Sequence, residues 1–163
     1  MGKLIALILL VALSAQVFGQ VPWSPSDTDK GHAEQTFRDY LKALAEARFD
    51  DAYALLTPGM QSLMSLDQWR DSENEFSRVS GGSPRYGNIR ATWYKDPAGA
   101  PLPGVYVAFD LDCRYENINR CHQVLMLHQQ ADASFRVMRH ERNFMDKTNE
   151  AAIRQREPGA QPQ

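Results

Sequence analysis

Cys113 and Cys121 flank a tight connection at Glu116-Asn117-Ile118, and the residues leading into it alternate in character. Before the connection, Val105, Val107, Phe109, Leu111 and Cys113 share one face of an extended segment, while Tyr106, Ala108, Asp110, Asp112 and Arg114 share the other, because successive side chains of a strand point to opposite sides. If the cysteines face each other across a hairpin, Leu111 falls opposite Gln123, Phe109 opposite Leu125 and Val107 opposite Leu127. The apolar residues then collect on one face, and a slip of one residue would scatter them. The pair reads as a structural disulfide, a pair of free thiols or a redox couple. No C-x-x-C spacing supports redox work, and directly opposed cysteines in an oxidising compartment form a bond, so a structural disulfide is expected.

That register also defines an outer face. Asp112 is expected opposite His122, Asp110 opposite Val124, Ala108 opposite Met126 and Tyr106 opposite His128. Met138 from the last strand would join them. This face is too apolar to be purely solvated. Either a tail or loop lies over it, or it is an interface with another protein or a second copy of the chain. In the next hairpin, around Ala131-Asp132, Leu127 is expected to pair with Phe135 and Leu125 with Val137.

Upstream of the hairpin the pattern is helical. Ala33, Phe37, Leu41, Leu44 and Ala47 form a stripe that predicts a helix from about Asp29 to Arg48. A short helix fits Asp50 to Leu56, stopped by Pro58-Gly59, and a third starts at Ser65, whose Ser-x-x-Gln spacing to Gln68 is a capping box. Leu66, Trp69 and Phe76 would face inward, and Gly81-Gly82 ends the run. Strands are expected at Ile89–Tyr94, Val105–Arg114, Cys121–Gln129 and Phe135–Phe144, with a loop at Asp96–Gly104. Helices followed by about four antiparallel strands make an α+β fold, with the sheet curled around the first helix.

The ends of the chain read differently. Lys3, ten apolar residues from Leu4 to Leu13, and the small residues Val17 and Gly19 describe a signal peptide over residues 1–19, cut before Gln20, with a second site after Ser14. Ten apolar residues are too few to span a bilayer, so no stable membrane anchor is expected after cleavage. The protein is expected to be periplasmic or secreted. Residues 20–28 read as a flexible leader, 29–148 as one α+β domain, and 149–163 as a disordered tail.

The segment Ala45-Glu-Ala-Arg-Phe-Asp-Asp-Ala-Tyr-Ala-Leu-Leu56, with Ser65-Leu-Asp-Gln-Trp69, resembles the helical half of nuclear-transport-factor-2-like cone domains. Leu102-Pro-Gly-Val-Tyr-Val-Ala-Phe109 and Phe135-Arg-Val-Met138 resemble an exported bacterial branch of that fold, the domain-of-unknown-function family 4019. The likeness runs from about Ala33 to Phe144. At the last turn this chain has Asp132-Ala133-Ser134-Phe135 where many such domains have Asp-Gly and then tryptophan. The resemblance implies a helix-backed curved sheet with a pocket at its wide end, and no activity.

Little in the sequence points to chemistry. A formal charge of −2 offers nothing to attract nucleic acid. Phosphate-loop and dinucleotide glycine patterns are missing, and Gly81-Gly82-Ser83-Pro84-Arg85 reads as a helix stop. Asp110, Asp112, His122 and His140 are a thin basis for a metal site, and no metal or cofactor is expected. By alternation His122, His128 and His140 fall on the outer face, and Gln123, Arg139 and Glu141 are the polar inward candidates. The sequence therefore predicts a small exported, non-enzymatic binding protein. One version is a protective, immunity- or inhibitor-like protein acting against an enzyme of the same compartment. The alternatives are a carrier of a small apolar ligand in the cone, and an isomerase- or hydrolase-like enzyme using Glu141, Arg139 and a tyrosine.

Overall fold

A computed structural model describes residues 23–146, 149 and 151. The expected signal peptide and most of the expected tail lie outside the described residues. Four helices, α1 (Asp27–Ala45), α2 (Phe49–Ala54), α3 (Pro58–Leu63) and α4 (Leu66–Ser80), precede four strands, β1 (Arg85–Lys95), β2 (Val105–Arg114), β3 (Ile118–Gln129) and β4 (Phe135–Asp146). The strands form one antiparallel sheet in the order β1-β2-β3-β4, so the α+β architecture is as expected.

The start of α1 is set by a cap. Ser26 and Asp29 exchange hydrogen bonds as a capping box, which starts the helix two residues before the expected position and takes Asp27 and Thr28 out of the leader. At the other end Ala47 is exposed at φ +54 and does not extend the apolar stripe; Tyr40 and Ala43 are buried in its place. Pro58 does more than end a helix. Thr57 caps α3 and Pro58 occupies its first turn, where the missing N–H costs nothing. The Ser65–Gln68 box and the left-handed Gly81 bound α4 as the sequence predicts.

Between α2 and α3, Leu56 bridges to Val137. Thr57 N donates to Val137 O (2.8 Å) and Val137 N to Leu55 O (2.9 Å). This occupies the free edge of β4 near its start, where unpaired backbone groups would otherwise face outward. The core forms where α1 lies on the sheet: Phe37 stacks on Phe109 with ring centroids 4.2 Å apart, above buried Val107, Leu111, Leu125, Leu127 and Val137. Trp93 of β1 meets Phe135 of β4 edge-on at 5.8 Å. Strands three places apart in a flat sheet are separated by about 14 Å, so this contact needs the sheet to curl. The inward side of β1 is only partly covered, and Ile89 stays 51% exposed.

The β2–β3 register is the one the sequence predicts at every position, from Tyr106–His128 to Cys113–Cys121. The two cysteines are bonded, with Cα atoms 5.0 Å apart. The β3–β4 register is not. Phe135 pairs with Gln129, and Val137 with Leu127; then β4 bulges, so that Arg139 pairs with Met126 and His140 with Leu125. Met138 is the extra residue. It reverses which side chains face inward along the rest of β4.

Two of the positions with left-handed backbone, Gly81 and Ala133, contrast with each other. Gly81 sits at φ +87, where an added Cβ would lie 2.8 Å from Glu116 Cβ. Ala133, in the last turn, sits at φ +65, a conformation that suits glycine. Gly81→Ala is expected to destabilise the protein by about 2 kcal/mol, adding a clash to the strain, and Ala133→Gly to stabilise it by about 1 kcal/mol. Urea unfolding of the two variants beside the wild type checks both signs.

Candidate functional site

The bulge at Met138 places an unexpected group inside the sheet. His140, expected on the outer face, points inward, whereas Arg139 and Glu141, expected inward, form an exposed ion pair on the outer side. A solvent-facing Glu141 removes the basis for an enzyme built on Glu141 and Arg139. As a whole residue His140 is only partly buried, yet protein groups hold both ring nitrogens.

Those bonds assign its tautomer. Gln123, fully buried as the sequence predicts, donates through Nε2 to Tyr115 Oη (2.8 Å), which leaves Oε1 to accept from His140 Nε2–H (3.0 Å). His140 Nδ1 then accepts from Tyr40 Oη–H (3.2 Å) and from Arg142 Nη2–H (3.2 Å). Arg142 forks onto Glu73 of α4 through two bonds, of 3.0 and 2.7 Å, with 17% and 9% of the two side chains exposed. Its guanidinium also lies 4.4 Å above the Phe76 ring, and its Nε is buried without a protein acceptor. Burial pulls the Arg142 guanidinium down, and Glu73, with Tyr40 and Tyr115, more than offsets this. Burial, then the Arg142 charge, holds His140 well below the ordinary histidine range. Burial pushes the Tyr40 and Tyr86 hydroxyls up.

Around this cluster is a hollow of about 40 Å³, lined in part by Leu44, Phe49, Phe76, Tyr86 and Tyr115. It suits a water-sized occupant and not a ligand that needs about 300 Å³ or more. Every acid–base group in it is already engaged by a neighbour. The cluster acts as a polar clamp joining α1, α4, β3 and β4, and neither periodicity nor spacing announced it, because the inward direction of His140 and Arg142 depends on the bulge.

The outer face is as expected at its far end and covered at the near end. His122 lies 3.8 Å from Asp112 and 3.5 Å from Asp110, and Asp110 also faces Arg90 at 3.6 Å. Val124 and Met126 are part-exposed. Tyr106, Ala108 and His128, expected to be available for an interface, are buried, Tyr106 to 2% exposure. The Asp96–Gly104 loop covers them as a strap: Tyr106 Oη donates to Leu102 O and His128 Nε2 to Pro103 O (3.0 Å). Gly104, at φ +127, lies so close to His128 that a Cβ would sit 3.0 Å from Nε2. Asp96 closes the strap through Asp96 N to Gly104 O (2.8 Å) and Gly104 N to Asp96 Oδ1 (2.7 Å). Beside the strap runs a groove of about 420 Å³, with Tyr94, Met126, Met138 and Arg139 on one side and Pro97 to Pro101 on the other.

Among the described residues, no group of three or more His, Cys, Asp or Glu converges as a metal site, and no helix is long and apolar enough to cross a membrane. Helices on one side of a curled four-stranded sheet, with a closed polar clamp inside and a strapped groove outside, define a small α+β cone domain. The chain belongs to the family described as protein of unknown function (DUF4019), whose model matches residues 36–139. No curated protein matches it. Among solved structures it is similar to Aln2 from a Streptomyces species, with a TM-score of 0.53 and 13% identity over 80% of this chain and 98% of that one. A protein from Catenulispora acidiphila aligns with a TM-score of 0.48 and 15% identity over 76% of this chain and 94% of that one. The Aln2 likeness concerns the fold alone.

Two measurements test the clamp. Glu73→Gln leaves a mostly buried guanidinium without its counter-charge and is expected to cost about 3 kcal/mol, more than half of it recovered in Glu73→Leu/Arg142→Met; denaturant unfolding reads both. Acid acts through His140. Above a pH of about 6.5 neither folded nor unfolded chain binds the proton; below it the unfolded chain does and the folded one does not, so stability falls as pH drops, by up to about 1.4 kcal/mol per pH unit from this group. Thermal unfolding at a series of pH values should show a shallower acid loss for His140→Asn than for the wild type.

Proposed function

We propose that the protein is an exported, non-enzymatic binding protein whose working surface is the outer face of the sheet, beside the Asp96–Gly104 strap. One observation carries this reading: the ionisable groups inside the cone are engaged with one another around a hollow of about 40 Å³, whereas the roomy, apolar concavity lies outside. Export is supported by the Cys113–Cys121 bond, which suits an oxidising compartment, and by the signal-peptide pattern of residues 1–19. The carrier alternative moves with the geometry. A ligand of ordinary size has no room in the cone, so a carrier role also belongs to the outer groove.

Met126 tests the surface better than Tyr106, because Tyr106 is buried under the strap and an acidic side chain there would break the fold. Met126→Asp is expected to leave the circular dichroism unchanged. It should abolish the retention of a specific component, from native extracytoplasmic extract, that immobilised wild-type protein keeps. Equal retention by both proteins, or by neither, would refute the outer face as the working surface.

A further inference from the structure

Resting on the outer-face reading, we infer that the groove beside the strap is a site for one small apolar molecule with an anionic head, its body on Met126 and Met138 and its head at Arg139. The groove's volume of about 420 Å³ falls in the range of small-molecule pockets, about 300–1,000 Å³. Its lining is aromatic, aliphatic, thioether and proline, and Arg139 is the charged residue on it. Methionines present a soft surface that adapts to an irregular apolar body. The far wall is already built: Asp96 ties to Gly104 twice, and Tyr106 and His128 pin the strap to the sheet. A pre-formed wall spares a ligand the cost of ordering it.

The surroundings argue for a small occupant over a macromolecule. Beyond the groove the same face carries the Arg90–Asp110 and His122–Asp110 pairs. A flat partner, or a second copy, large enough for a stable interface of about 800 Å² a side would have to bury these charges. A molecule confined to the groove leaves them in water. Arg139 is bonded to Glu141, but both side chains are largely exposed, and exposed pairs of this kind exchange readily for another carboxylate or sulfonate.

Two dyes that share an aromatic body separate the claims: anilinonaphthalene sulfonate, which has an anionic head, and phenylnaphthylamine, which has none. Fluorescence titration of the full chain should show one site for each, with the sulfonate bound about tenfold tighter. Ala98→Trp, on an exposed strap position, fills the groove while leaving every sheet residue unchanged and should abolish binding of both. Arg139→Gln should erase the preference for the sulfonate, and Glu141→Gln should widen it. The inference is overturned if neither dye binds, if Ala98→Trp binds both as before, or if Arg139→Gln keeps the preference. It is also overturned if Ala98→Trp loses a retained protein and no dye. Failure here leaves the retention contrast at Met126 standing as the independent measure of the outer face.

Discussion

One extra residue in β4 organises both sides of the sheet. Because strand side chains alternate with a period of two, the bulge at Met138 inverts every position after it. His140 and Arg142 turn toward the helices, and Arg139 and Glu141 turn to solvent. Without the bulge Arg139 and Glu141 would turn inward in place of His140 and Arg142, Glu73 would lose its partner, and the groove would lose its one charged wall residue. The inner clamp and the outer groove share this single backbone irregularity.

The clamp works by saturation. Arg142 donates to Glu73 and His140, His140 donates to Gln123, and Gln123 donates to Tyr115, a continuous chain in which Arg142 Nε alone lacks a protein acceptor. Buried polar networks specify a structure when their members are satisfied and weaken it when they are not. Here the network ties β4 to α4 and α1 on the other side of the Met138 bulge from the Leu56–Val137 bridge. The same saturation supports the non-enzymatic reading we propose. A base whose lone pair already accepts from Tyr40 and Arg142 has no lone pair left to take a substrate proton.

The strap plays the complementary role outside. It hides the aromatic pair Tyr106 and His128 and leaves a bounded concavity next to Met126 and Met138. The two explanations for so apolar a face apply to different parts of it: a loop covers one end, and the working surface we propose lies beside that loop.

Much of the architecture is local and so readable from the residues. The Cys113–Cys121 hairpin register, the Ser65–Gln68 box, the Gly81 stop and the helix-then-strand order each depend on side-chain period or on a cap a few residues long. The Ser26–Asp29 box is equally local, but it precedes the apolar stripe, which begins only at Ala33, so periodicity alone starts the helix too late. The facing of His140, Arg139 and Glu141 is different in kind. No residue type demands a bulge at Met138, because the bulge satisfies packing between β4, the Leu56 bridge and two helices at once. The burial of Tyr106 and His128 is likewise beyond the sequence, because it depends on where a nine-residue loop comes to rest. Sequence alone thus determined the central pairing and every element but α3, which Pro58 starts, through short-range periodicity; tertiary packing decided which ionisable groups are indoors, because one unpaired residue reverses a two-residue alternation.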